Sequence, residues 1–233
     1  MIKNDSEISA IRRACHITDL CFTKILDSIK PGVTEKEIAV RLEDLFAHHN
    51  AKPAFPTIVA FGKHTSVVHY LVAKESLTRC RKQEIILLDF GVKVDGYCSD
   101  MTRMVFMGSP RTEWIHAYDA IRVVQQSCID KIRALNVRKF SGAWLDRFAR
   151  TCIKKAGLPP YPHGLGHNVG LEIHELPRLS RKKDAQICPG MVFTIEPGTY
   201  VKDDYGIRIE DTVVLSDNGL EILTNSLKTL TRL

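Results

Sequence analysis

LLDFGVKVDGYCSDMTRMVF, residues 87–106, decides how this chain folds. Residues 85–92 and 101–106 are apolar and rich in β-branched side chains. Val94-Asp95-Gly96 between them is a tight-turn signal, so the stretch reads as a β-hairpin. A turn there sets Asp89 opposite Asp100, with Cβ atoms about 5 Å apart. Two like charges facing each other in an apolar hairpin are costly unless a cation holds them, and a metal ion is the usual cation. The plainer alternative is a solvated charge pair on an edge hairpin.

The arrangement recurs. MVFTIEPGTYV (191–201) and YGIRIEDTVVL (205–215) flank the turn Lys202-Asp203-Asp204, and Glu196 and Glu210 stand equally far either side of Asp203. A second carboxylate pair across a second hairpin makes coincidence a poor explanation. Helices are expected around both hairpins. Asp5-Ser6 caps one running to about residue 29, with Ile8, Ile11, Ile17, Leu20 and Ile25 in its apolar set. Thr34 and Glu37 form a capping box for a second, reaching about residue 49. Thr112 caps a third, to about residue 135, and Ser141 a fourth, which Gly157 closes. Short strands are expected at 57–61, 66–71 and 220–224. The helix starts at 5 and 34 recur 107 residues on (112 − 5, 141 − 34), as does the first acid of each hairpin (196 − 89). Two helix–helix–hairpin halves related by a pseudo-twofold axis would bring all four carboxylates together between them, in one domain spanning residues 1–233.

Residues 162–177, PHGLGHNVGLEIHELP, hold His163, His167 and His174. His163 and His167 have the HxxxH spacing of helical zinc sites. Gly164, Gly166 and Gly170 argue against a helix, so the segment reads as a loop entering a strand. One histidine here would more often be structural; three, beside four convergent acids, point to ligation. His69 lies on an apolar alternating stretch, where a hydrogen-bonded core histidine is the plainer reading.

The chain is long enough for a sizeable core, and its 44% hydrophobic and 26% charged composition is ordinary for a globular protein. Its net charge of +6 comes largely from basic clusters at 79–82 and 178–183 without interleaved aromatics. That composition suits solvated basic loops better than a nucleic-acid surface. No apolar run approaches the roughly 20 residues that cross a bilayer, so no membrane partner is expected. The charged N-terminus is no signal peptide. Seven cysteines, an odd number without a CxxC pair, point to a reducing cytoplasm.

Taken in order, LLDFG, DGYCSDMTR, HGLGHNVGLEIHELP, TIEPG and GIRIED closely resemble the proline-specific branch of the dinuclear metallopeptidases, the Xaa-Pro aminopeptidases and prolidases. The resemblance covers essentially the whole chain. It implies the α/β (α+β) pita-bread, or creatinase/aminopeptidase, fold, with a curved antiparallel sheet and outer helices. It also implies a metal-dependent exopeptidase acting on peptides with proline at the second position. The metal ligands would be Asp89, Asp100, His167, Glu196 and Glu210, with Asp100 and Glu210 bridging two divalent ions. Mn²⁺ suits that oxygen-rich set best, with Co²⁺, Zn²⁺ or Fe²⁺ also fitting. Glu196 would shuttle a proton, His69 and His174 would contact substrate and the tetrahedral intermediate, His163 would sit behind the ligands, and Arg208 would shape the substrate pocket. Cys98, two residues from Asp100, is expected to be a packed thiol. Methionine aminopeptidases share the fold and ligands, and some relatives are non-catalytic binding modules; SDMTR and HNVGLEIHELP favour the Xaa-Pro branch. Xaa-Pro peptidases usually carry an N-terminal domain that contributes to dimer contacts. It is expected to be absent here, which leaves a homodimer an open expectation.

Overall fold

The first helix takes its cap one residue earlier than Asp5. Asn4 Oδ1 accepts the Glu7 amide at 3.0 Å and Glu7 Oε2 accepts the Asn4 amide at 2.8 Å, a reciprocal capping box. The computed structural model describes residues 1–72, 77–135, 139–182 and 184–233; Lys183, the end of the second basic cluster, lies outside them. Helix α1 spans Asp5–Ile25 and gives way to a 3-10 turn, Leu26–Ser28, short of the expected end. Its buried stripe is Ile11, Ala14, Cys15, Thr18, Phe22 and Ile25, and Leu20 faces outward, 42% exposed. Helix α2 (Glu35–His48) carries the Thr34–Glu37 capping box its sequence announces. Helix α3 (Thr112–Ala134) differs. Thr112 is its first helical residue, and Arg111, at the cap position, makes no side-chain cap. Helix α4 (Gly142–Lys155) is capped by Ser141, whose Oγ accepts the Trp144 amide at 3.0 Å. Helix starts therefore recur as read, Asp5 and Glu35 answered by Thr112 and Gly142, each 107 residues on (112 − 5, 142 − 35).

Each half contributes a sheet. In the first, Ile58–Phe61, Glu84–Phe90 and Met101–Met107 run antiparallel. Thr231–Arg232 joins this sheet in parallel beside Met101–Met107. In the second, the order is Gly219–Ile222, Asp211–Ser216, Val192–Ile195, Gly166–Asn168, Glu175–Leu179. The strand expected at 66–71 does not form; a 3-10 segment, Gly62–Ser66, and an irregular stretch take its place.

All seven residues of Glu84–Phe90 are buried, which explains why residues 85–88 are continuously apolar rather than alternating. Ile86, Leu88 and Phe90 pack against α1 and α2. Ile85 and Leu87 face the other way, into a core built with α3, α4 and the second sheet. Asp89 shares that inward face by strand alternation. The first acid is thus aimed at the boundary between the halves.

Candidate metal centre

Asp89 and Asp100 are not directly opposed. The ladder pairs Asp89 with Thr102 and Phe90 with Met101. The expected register is off by two because the turn is the two-residue Asp95-Gly96, with φ of 51° and 85°, rather than a turn including Val94. A shift of two preserves the face, so the acids are diagonal neighbours on one side of the hairpin. The ladder lapses at Gly91 and at Ser99-Asp100. A Cβ on Gly91 would lie 1.8 Å from the Ser99 carbonyl oxygen, so only glycine allows the strands to close there. In the second hairpin the reading holds. Gly198 pairs with Arg208 and Ile195 with Asp211, the register that sets Glu196 against Glu210, and the ladder again lapses at the acids. Asp203 takes φ 59° at the turn.

The two hairpins interlock through side chains. Thr102 Oγ1 donates to Glu210 Oε2 at 2.6 Å and accepts Arg208 Nε at 3.0 Å. Arg208 Nη2 donates to Asp89 Oδ2 at 2.5 Å. Arg103, almost wholly buried, donates to the Glu210 carbonyl at 2.5 Å and to Asp211 Oδ1 at 2.6 Å. Gln125 and Lys228 hold the second Asp211 oxygen. Thr212 Oγ1 donates to the Asp100 carbonyl at 2.7 Å. All but the Gln125 and Lys228 contacts join one half to the other, and together they fix which oxygens of Asp89 and Glu210 are occupied. Asp89 Oδ1 remains buried without a hydrogen-bond partner.

His167 enters on the short strand Gly166–Asn168, where a Cβ at Gly166 would meet the Thr194 carbonyl oxygen at 2.0 Å. Its Nδ1 lies 3.2 Å from the Asn168 carbonyl, which can only accept, so Nδ1 carries the proton. Nε2 then presents a lone pair, 3.5 Å from both Asp100 Oδ2 and Glu196 Oε1. Burial, and then the neighbouring His174, pull its pKa down to about 3, so the ring is neutral. His163 follows similar logic. Nδ1 donates to the Gly164 carbonyl at 2.7 Å, and Nε2 accepts from Tyr200 Oη at 3.1 Å, which itself accepts from Arg208 Nη1 at 2.7 Å. Burial, then Arg208, lowers His163 to about 3. The His163 backbone is held from α4: Arg150 donates to the Tyr161 and His163 carbonyls at 2.7 and 2.5 Å and pairs with buried Asp146 at 3.0 Å. The His174 ring meets His167 edge-on, with centroids 4.4 Å apart.

The carboxylates are in electrostatic conflict. Burial raises Asp100 well above the usual range, and Glu210 and Asp89 add to the shift. Glu210 is raised by burial and by Glu196 and Asp89. Glu196 is pushed up to about 7, mainly by burial, with Arg208 opposing. A divalent cation relieves this conflict, and the donors suit one. Ligand atoms of Asp100, His167 and Glu210 lie within 4.8 Å of one another. The unpartnered Asp89 Oδ1 and the bare His167 Nε2 are what a metal site leaves open.

All nine residues singled out in the sequence, Asp89, Asp100, His167, Glu196, Glu210, His69, His163, His174 and Arg208, line one cavity of about 520 Å³, with Phe55, Ile58, Val68 and Ile173 among its apolar walls. His69 and His174 are exposed at it. Arg208 spends its guanidinium on Asp89, Thr102, Tyr200 and the Val68 carbonyl. Cys98 is buried, its thiol contacting the Leu171 carbonyl at 3.6 Å, and burial pushes it up to about 11. Sequence reasoning missed Thr102, Tyr200, Arg103, Asp211 and Arg150. Only Thr102 and Asp211, adjoining or near the acids, carried a positional hint.

A family model described as metallopeptidase family M24 matches residues 9–217. The Xaa-Pro dipeptidase of Pyrococcus furiosus is 37% identical over 228 residues, which cover 97% of this chain and 64% of that protein. The Xaa-Pro dipeptidase structure from Bacillus anthracis superposes with a TM-score of 0.93 at 34% identity, over all of this chain and 64% of that one. An X-Pro aminopeptidase structure from Thermotoga maritima gives 0.93 at 35% identity, over all of this chain and 65% of that one. The chain thus spans just under two thirds of the length of these relatives. The shared architecture is the α/β pita-bread fold expected from the sequence.

Proposed function

The chain belongs to metallopeptidase family M24, and from that membership we propose that it is a metal-dependent exopeptidase that hydrolyses the Xaa-Pro bond at peptide N-termini. The observation that carries the reading is the convergence of four acids and a neutral, lone-pair-bearing His167 on one cavity. The names of the relatives favour the Xaa-Pro branch over methionine aminopeptidases. Asp89, Asp100, His167, Glu196 and Glu210 are proposed to hold two divalent ions, Asp100 and Glu210 between them, with manganese suited to the oxygen-rich donors. When bound, such ions make hydroxide available near neutral pH and polarise the scissile carbonyl.

The remaining work falls to the chain. An Xaa-Pro bond has no N–H to grip, and proline fixes the local backbone, so recognition rests on the free amine, the carbonyl and the ring. Glu196 takes the proton from water and delivers it to the leaving proline nitrogen. His174, exposed at the cavity, donates to the developing oxyanion, and His69 holds the substrate. Arg208 and Thr102 keep Asp89 and Glu210 oriented, and His163 buttresses Tyr200. We read residues 1–233 as one catalytic domain. No helix among the described residues is long and apolar enough to cross a membrane. The seven unpaired cysteines support a reducing, cytoplasmic setting.

The test is hydrolysis of Xaa-Pro, Xaa-Pro-Yaa and Met-Ala-Yaa peptides with and without Mn²⁺. Cleavage of the proline peptides only with metal is expected, and the panel separates dipeptidase from aminopeptidase action. Faster cleavage of Met-Ala-Yaa, or none of any peptide, overturns the proposal. The histidines should separate by role. His167→Ala should lose metal and activity together, whereas His163→Ala should keep the ions and lose about 10–100-fold in rate, the usual cost of disturbing support behind a ligand. Metal content of both purified variants decides. An emptied site in His163→Ala with a filled one in His167→Ala reverses the assignment.

A further inference from the structure

Lys3 is a buried lysine, and its one described ionic partner is Glu175. Nζ lies 2.9 Å from Glu175 Oε2, with the two side chains 4% and 20% exposed. A lysine is rarely this buried unless paired. Its backbone is fixed as well: the Lys3 amide donates to the Gly190 carbonyl at 2.7 Å, and Ile2 bridges to Met191. Glu175 in turn closes the loop that leads to it. The Glu172 amide approaches Glu175 Oε1 at 3.4 Å, the Gly170 amide donates to the Glu172 carbonyl at 3.1 Å, and a Cβ at Gly170 would lie 2.2 Å from Glu175 Oε1. Residues 170–175 are therefore wrapped round this carboxylate, and His174 is the residue before it. The His174 side chain is exposed apart from its edge-on contact with the His167 ring, so its place at the cavity is set by that contact and by the backbone of this loop.

We propose that Lys3 is a positioning residue, acting through Glu175 to hold the 170–175 loop in the shape that presents His174 to the substrate. An ion pair between the first segment of the chain and a loop 172 positions away would thus set the geometry of a group at the reacting centre. The kinetic part rests on the proposed peptidase reading; the structural part does not.

The test uses manganese-loaded protein: wild type, Lys3→Met, Lys3→Arg, Glu175→Gln and the Lys3→Met/Glu175→Gln double variant. Amide hydrogen exchange over 170–175 should quicken about tenfold or more in Lys3→Met, while α2 and α4 stay protected. The kcat on an Xaa-Pro peptide should fall about tenfold with KM nearly unchanged and metal content intact, a size typical of lost support behind a functional group. Lys3→Arg should restore both, and the double variant should be no worse than Glu175→Gln, as coupled residues require. Unchanged exchange over 170–175 in Lys3→Met, a fall in KM or metal content instead of kcat, or additive losses in the double variant overturn the proposal. If wild type hydrolyses no proline peptide, the proposed function fails and the exchange measurement alone decides the role of Lys3.

Discussion

Asp100→Asn should lose at least one of two bound divalent ions and, with it, nearly all hydrolysis. Asp100 sits between His167 Nε2 and the acids of both hairpins, and its carboxyl is pushed up by burial and then by Glu210 and Asp89. A neutral amide of the same shape leaves the ions under-compensated and removes the oxygen anion proposed to bridge them. Protein stripped by chelation should show the opposite effect on stability. Carboxyls with folded pKa values raised above their unfolded values bind more protons in the native state. Their contribution is fully present below the unfolded pKa and is lost as pH rises through the folded value. Glu196, at about 7, sets the window. Stripped wild type should therefore lose stability between about pH 5 and 8, metal should restore it, and metal affinity should rise with pH as protons leave the ligands. Stripped Asp100→Asn carries one acid fewer and should lose less stability over the same range. Elemental analysis and thermal unfolding at two pH values check both halves. Two full ions in the variant remove Asp100 as a bridge.

The candidate residues were legible because each acid stands in or beside a short apolar stretch of sequence where its charge has no other excuse. What the sequence hid is mostly arithmetic at turns and contacts between halves. The second hairpin was read in register because its three-residue turn is centred on Asp203, whereas the first slipped by two because Asp95 and Gly96 alone make the turn. Residues 66–71 look like a strand by composition, but the 3-10 segment Gly62–Ser66 turns the chain away from the sheet. The loop entering a strand expected at 162–177 forms as two short strands, Gly166–Asn168 and Glu175–Leu179, and the second, despite its proline, is outermost in its sheet. Thr102, Arg103 and Arg208 find partners more than a hundred residues away, on the opposite half. No local pattern encodes such contacts; they follow only once the two hairpins are brought together.

Glu196→Gln should lower kcat far more than it raises KM. Two separable jobs are proposed for Glu196. Oε1 faces His167 Nε2 at 3.5 Å and accepts from Thr194 Oγ1 at 3.2 Å, the geometry behind the ligand role proposed for it. In the metal-free site burial pushes Glu196 up to about 7, and the second job proposed for it is to pass a proton between water and the leaving nitrogen. Gln keeps the shape and one oxygen but neither takes up nor releases a proton. Loss of a general acid–base typically costs about 10²–10⁴-fold, and weakened ligation adds to it, so the upper part of that range is expected. The substrate contacts proposed for His69, His174 and the cavity walls survive, so KM should move little. The comparison that separates the two jobs is the Thr194→Val variant. It removes the hydroxyl that donates to Oε1 and accepts the His167 amide, both at 3.2 Å, but leaves the carboxylate able to carry a proton, and it should cost about 10–100-fold. Steady-state kinetics on one Xaa-Pro peptide, with metal content measured on each variant, reads both. A Glu196→Gln protein with full metal and more than about a tenth of wild-type kcat contradicts the proton-transfer role, because an enzyme that loses its acid–base group cannot keep so much of its rate.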